Sequence, residues 1–331
     1  MIRGGAALLA AAWTIGAAAA GAGGGRSSAV GADARALGER AARLPAEDRQ
    51  RVSGLVGDVE RELGAGRDWS ALERLREARR FAAAVEFAAD SRRTFESAWE
   101  EAAGRVRKET PSAGWQDAPA AARALGEAAG GTAVPLLDAS RAYAKVTDES
   151  SGRYYLGQAV EAAAFARFCR SLPAAGKPAP PWRSIAPELA KLQERVDAAF
   201  VPPRSIERHP DFIRLNASLK TARELDGSGL FAGAAYEYLS AVEQLGRLEE
   251  TGAAAGGARD ALAAERRALA SSGRDESLAL VFVERAEAEP GTAPVVVSSV
   301  LPAYREIREP AAPAAAAAPA LTVTLVRWPY T

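Results

Sequence analysis

Between Arg67 and Ala103 the chain runs without a glycine or a proline. Trp69, Leu72, Leu75, Phe81, Val85, Phe95 and Trp99 are spread along it at spacings that return to one face of a helix, not at the alternation of a strand. A helix covering the whole stretch would be about 55 Å long at 1.5 Å per residue. Glu73, Glu77, Glu86, Glu96, Glu100 and Glu101 interleave with the arginines between the apolar positions. That pattern predicts a solvated face of mixed charge, not a basic binding patch.

The same period extends through most of the chain. In RVSGLVGDVEREL, residues Val52, Leu55, Val56, Val59 and Leu63 fall three or four apart, on one face. Pro119 and Pro135 each sit where a helix can open, with Gly130-Gly131 separating the two. Further helices are expected over Arg153 to Leu172, Ile185 to Phe200, Asp211 to Leu225, Leu230 to Glu250, Arg259 to Ser271 and Asp275 to Glu289. PVVVSSVLPAYREI, residues 294–307, carries a β-branched run that favours a strand and an AYREI segment that favours a helix. Helix is the preferred reading. The fold class expected is all-α: an array of antiparallel helical hairpins, or an irregular helical bundle, with a short extended C-terminal tail.

One stretch carries a resemblance. In GSGLFAGAAYEYLSAVEQL, residues 227–245, Gly229 is followed by Phe231, Ala234, Tyr238 and Ala241 at +2, +5, +9 and +12, and preceded by Ala222 and Leu225 at −7 and −4. Glycine makes a tight turn, the two alanines let a partner helix approach, and the aromatic fills the gap between them. This resembles the second helix and turn of a tetratricopeptide repeat. Gly66 is followed by Ala71, Leu75 and Ala78 at the same offsets, Gly152 by Gly157, Glu161 and Ala164, and Gly273 by Leu278, Phe282 and Arg285. Gly66, Gly152, Gly229 and Gly273 are therefore expected to be structural turns. Their separations of 86, 77 and 44 residues do not match the tandem period of about 34, so the likeness is to single hairpins.

The termini differ from the body. Arg3, the uncharged apolar run Ala6 to Ala20 and the small residues around Ala20-Gly21-Ala22 have the order of a secretory signal peptide. The expected layout is a signal peptide over 1–22, a flexible segment over 23–32, helical hairpins over 33–172, a Pro-rich loop over 173–184, further hairpins over 185–308, an Ala/Pro linker over 309–320 and an extended apolar tail over 321–331. The tail, LTVTLVRWPYT, alternates apolar and threonine positions as a strand does. The mature chain is expected to begin near Gly21 or Gly23, to be exported to a bacterial periplasm or the extracellular space, and to keep no transmembrane span.

Composition restricts the chemistry. Forty-two basic and 42 acidic side chains cancel, which argues against a nucleic-acid partner. Cys169 is the sole cysteine and His209 the sole histidine. That gives no internal disulfide, too few soft ligands for a zinc site and only one histidine on which a triad could rest. Cys169 is expected to be a buried apolar residue of a helix, and His209, beside Pro210, a solvated loop or cap residue. GAGGGRSS at 21–28 lacks the lysine of a phosphate loop, and DGSG at 226–229 is the hairpin turn, not a calcium loop. No catalytic, cofactor-binding or metal-binding residue is nominated. Trp69, Phe81, Phe95, Trp99, Phe165, Phe168, Tyr236 and Tyr238 are assigned to the core by their spacing. Trp182, Trp328 and Tyr330, in irregular segments, are the candidate partner contacts. The reading that follows is an exported helical scaffold that binds another envelope or secreted protein or peptide. A carrier of an apolar small molecule and a carboxylate-based hydrolase are the alternatives.

Overall fold

Five residues, Asp90 to Thr94, divide the long apolar stretch into two helices. A computed structural model of the chain describes residues 24–110, 114–174, 176–200, 206–249 and 257–309. It begins with α1 (Gly24–Ala41), α2 (Ala46–Gly64), α3 (Asp68–Ala89) and α4 (Phe95–Glu109). The stretch from Arg67 to Ala103 is thus not one continuous helix but two, α3 and α4. Thr94 is the N-cap of α4 and accepts from the Ser97 amide, the role for which threonine is suited. Asp90 closes the turn by accepting from the backbone amide of Arg92 at 3.1 Å and from its Nε at 2.8 Å. The side-chain bond from Arg92 holds the Asp90 carboxyl down at about 2. Residues 24–32, expected to be flexible, belong to α1, where Val30 and Gly31 are buried.

Helices α5 (Ala120–Val146) and α6 (Glu149–Ser171) follow. Pro135 lies inside α5 and does not open a new helix. Gly130-Gly131 does not separate two helices either. A side chain at Gly130 would press on Ala166 at 3.2 Å, and one at Gly131 would collide with Leu225, so these glycines serve close packing. After the Pro-rich loop come α7 (Ala186–Ala199), α8 (His209–Gly227), α9 (Phe231–Glu249), α10 (Ala258–Ser271) and α11 (Ser277–Ala288). Residues 290–308 continue as a helical path through a 3-10 turn, α12 (Ala293–Val295), a π turn (Val296–Val300) and α13 (Leu301–Arg308). The valine run is helical, with Val295, Val296 and Val300 buried. Every regular element among the described residues is helical, and none of those helices is long and apolar enough to cross a membrane. The signal segment 1–22, residues 310–320 of the linker and the tail 321–331 lie outside the described residues.

Two of the four expected glycine turns are the same turn. Gly66 and Gly229 both have left-handed φ, +69° and +76°. At the first, Gly66 donates to Leu63 and Arg67 to Glu62. At the second, Gly229 donates to Asp226 and Leu230 to Leu225. This pair of bonds is a Schellman motif, which satisfies the last carbonyls of α2 and α8 and turns the chain into α3 and α9. Gly152 is not a turn. It lies in the first turn of α6, where an added Cβ would sit 2.8 Å from the Ser140 carbonyl oxygen. Gly273 lies in the α10–α11 connection without a positive φ.

In packing order, α1 and α2 lie on each other and on α3, α3 lies on α6, α6 on α5, α5 on α9 and α9 on α8, while α4 covers α6 and α11 spans α3 and α5. The large core runs from Val30 to Ile307, and a smaller one, including Val106, Leu137, Leu156 and Val160, fills the space between α4, α5 and α6. Of the aromatics assigned to the core, Phe81 and Trp99 are only partly buried and the others are buried. Where helices cross most closely, a glycine stands: a Cβ on Gly157 of α6 would collide with the Ala83 carbonyl oxygen of α3, and one on Gly233 of α9 would lie 2.7 Å from the Ala128 nitrogen of α5. The arginines of α3 do not all form a solvated face. Arg79 is 2% exposed. It donates to Glu161 at 2.5 Å and Asp33 at 3.0 Å, joining α6, α3 and α1.

Three helix N-termini are capped from elsewhere in the body. Arg67 and Pro119, at the N-cap positions of α3 and α5, supply no side-chain acceptor. Glu284 of α11 instead accepts from the Trp69 and Ser70 amides at 2.8 and 3.0 Å. Asp275 accepts from Ala120 at 2.7 Å and Ser277 Oγ from Ala121 at 2.8 Å. Glu127 of α5 accepts from Ala232 and Gly233 at the start of α9, at 2.9 and 3.1 Å. These buried acids meet the unsatisfied amides and positive dipole of each helix start, and they fix how α3, α5, α9 and α11 are set relative to one another.

Candidate binding cleft

The face of α3 away from its cap turns Glu73, Arg74, Arg76, Glu77 and Arg80 toward α9 and α11. With Tyr236, Ser240, Glu243, Gln244 and Arg247 of α9 and Arg285 and Glu289 of α11 they line a cleft of about 450 Å³. Its walls follow from helical spacing: positions 73, 76, 77 and 80 form one stripe of α3, and 236, 240, 243, 244 and 247 one stripe of α9.

The floor is a network of ion pairs. Arg285 donates to Glu73 at 2.7 Å and also to Glu243. Tyr236 donates its hydroxyl to Glu73, and Arg247 donates to Glu243. Arg74 donates to Glu289 at 2.5 Å. Burial by itself would lower Arg285, but the charges of Glu73 and Glu243 more than offset it, so the guanidinium is held above its ordinary value. Burial first, and the Glu73 carboxylate second, push the Tyr236 phenol up. It therefore stays protonated and donating. Glu73, Glu243 and Glu289 are thus all engaged.

Two cations of the cleft stand outside that network. Arg76 covers the Tyr236 ring, its guanidinium carbon 5.1 Å from the centroid, a cation–π contact. Arg80 lies one turn further along α3. Desolvation, and then the like charge of Arg76, lower Arg80 from its ordinary value although its side chain is exposed. Two donors also lack acceptors among the described residues: Ser240 Oγ and Arg285 Nε are buried without a hydrogen-bond partner there.

The residues singled out from sequence lie elsewhere. Trp182 is half-buried and packs beside Pro180, Pro181, Ile185, Phe231 and Tyr304 around a notch of about 10 Å³, space for a single water. Trp328 and Tyr330 lie outside the described residues. His209 is exposed at the start of α8, its ring 6.0 Å from that of Phe200. Cys169 is buried, and burial pushes its thiol up, the opposite of a reactive thiolate. Among the described residues no group of three or more His, Cys, Asp or Glu could hold a metal ion. The cleft was missed because its arginines and glutamates read as solvated and Tyr236 as core. The sequence does carry a signal, Glu237, Ser240, Glu243, Gln244 and Arg247 at helical spacing opposite the apolar positions of α9, but not what that stripe faces. Comparison with protein-family models, curated proteins and solved structures finds no match to this chain.

Proposed function

We propose that this protein is an exported helical interaction module that binds a partner protein or peptide in the α3–α9–α11 cleft. The observation that carries the reading is the combination of a rigid floor with unsatisfied walls. Arg285, Tyr236 and their carboxylates are locked together, while Arg76 and Arg80 carry charge without an ion pair, and Ser240 a buried hydroxyl without a hydrogen-bond partner, among the described residues. Such preorganisation favours binding, since little side-chain entropy remains to be lost. The hairpins at Gly66 and Gly229 share one turn and one mode of capping, which suits a scaffold related to tetratricopeptide hairpins. The apolar-carrier alternative needs a larger cavity than the water-sized notch at Trp182. A carboxylate hydrolase needs acids free to exchange protons, whereas the acids of the cleft floor are tied to arginines.

The test is affinity capture from bacterial envelope extracts with the wild-type chain and with Ser240→Trp, which places an indole in the cleft. A partner retained by the wild type and lost by the variant is the expected result. An identical captured set would overturn the assignment of the cleft.

A further inference from the structure

The charges of the cleft are unbalanced at one place. Arg74, Arg247 and Arg285 each meet a carboxylate, but Arg76 and Arg80 form no ion pair among the described residues. They stand four positions apart on α3, so both guanidiniums leave the same side of the helix. Glu237, across on α9, acts on both charges, and Glu77 on that of Arg80, but neither carboxylate forms an ion pair with them. Ser240, on the opposite wall, keeps a buried hydroxyl with no hydrogen-bond partner among the described residues. A desolvated donor without an acceptor costs free energy, as does a pair of adjacent like charges, and one anionic group placed between the walls would relieve both.

We infer that the cleft receives the carboxylates of an acidic peptide segment, with Arg76 and Arg80 as the receiving pair and Ser240 as a further donor. Guanidiniums present planar forks that match carboxylates. A cleft of about 450 Å³ between three helices is larger than a single inorganic oxyanion fills, and it suits side chains carried by an extended chain. The inference rests on the interaction reading above and names the chemistry of the partner.

The experiment is fluorescence anisotropy of labelled hexaglutamate titrated with the full chain. Hexalysine serves as the opposite-charge probe and pyrophosphate as the small-oxyanion probe. Hexaglutamate should bind with an affinity that falls as salt rises. The double variant Arg76→Gln/Arg80→Gln should weaken it by about tenfold, the loss expected from two partly exposed charge pairs. Arg214→Gln, which removes an equally positive but remote and exposed side chain, should leave it within about twofold. Arg80→Gln alone is the safeguard if the double variant melts early, and it should give a smaller weakening in the same direction. Equal binding of hexaglutamate by the wild type and by Arg76→Gln/Arg80→Gln overturns the inference. So does binding of hexalysine as strong as that of hexaglutamate, or binding of pyrophosphate at the pair without binding of the peptide. If Ser240→Trp abolishes partner capture while the two arginine substitutions leave hexaglutamate binding intact, the interaction reading stands and the acidic-peptide inference alone falls.

Discussion

Glu284 is a carboxyl of α11 with 3% of its surface exposed, held by two backbone amides at the start of α3. Burial and the nearby Asp68 charge act on it in one direction, the two amides and the Arg266 guanidinium in the other. Burial raises its pKa, and the Ser70 and Trp69 amides lower it; burial wins and the group titrates at about 7. The folded protein therefore keeps this proton between the ordinary value of 4.5 and about 7, where the unfolded chain has released it. The stabilisation linked to that proton is complete below pH 4.5 and is lost as pH rises through about 7. Glu284→Gln removes the titration and keeps an oxygen to accept from the amides. Thermal melts from pH 4.5 to 8 should show the wild type losing stability relative to Glu284→Gln as pH rises, at up to about 1.4 kcal/mol for each pH unit crossed in that window. Parallel pH curves for the two proteins would show that the carboxyl is ionised throughout.

At the scale of elements, helix crossings depend on glycines that helix propensity disfavours. Gly157 costs α6 about 1 kcal/mol relative to alanine, but its missing side chain lets the backbone of α3 pass at Ala83. The obstacle is a backbone carbonyl, which cannot rotate away. Gly157→Ala should therefore destabilise the protein, the overpacking cost of about 1–3 kcal/mol exceeding the propensity gain. Gly54, mid-helix in α2 with nothing near its missing Cβ, is the control: Gly54→Ala should stabilise by about 0.5–1 kcal/mol. Urea melts of the two variants should shift in opposite directions. A shared direction would mean that α3 and α6 do not cross this closely in solution. Gly229 obeys another rule, since its φ of +76° needs glycine for the backbone's own geometry, with no neighbour involved.

For the molecule as a whole, the caps matter more than the hairpins. The sequence suggests two sets of hairpins, 33–172 and 185–308, on either side of a Pro-rich loop. Yet α3 is capped by Glu284, α5 by Asp275 and Ser277, and α9 by Glu127. Each bond ties one set to the other. Removing the second set leaves the amides at the starts of α3 and α5 without these acceptors and exposes the apolar surface that α9 and α11 cover on α5. The fragment 24–172 should accordingly lack a cooperative thermal transition in circular dichroism, while the full chain unfolds in one main step. A sharp, independent melt of the fragment would show that the first set is a domain in its own right.

The sequence by itself determined the all-helical class, the approximate bounds of α6 to α11 and the turn at Gly229, and it left the valine run open between helix and strand with helix preferred. All of these rest on interactions within a few residues: apolar spacing, proline and glycine placement, and backbone bonds local to a turn. It left open whether the 67–103 stretch is one helix, which an Asp90 turn and a Thr94 cap decide against, and it misjudged the 120–146 stretch, where glycines that look like a break are crossing points. The tertiary structure alone decided the burial of Arg79 against Asp33 and Glu161, the three long-range caps and the meeting of the α3 and α9 polar stripes in one cleft. The reason is physical. A charged side chain has the same spacing whether water or a buried partner balances it, and only the position of a helix distant in sequence decides which one does.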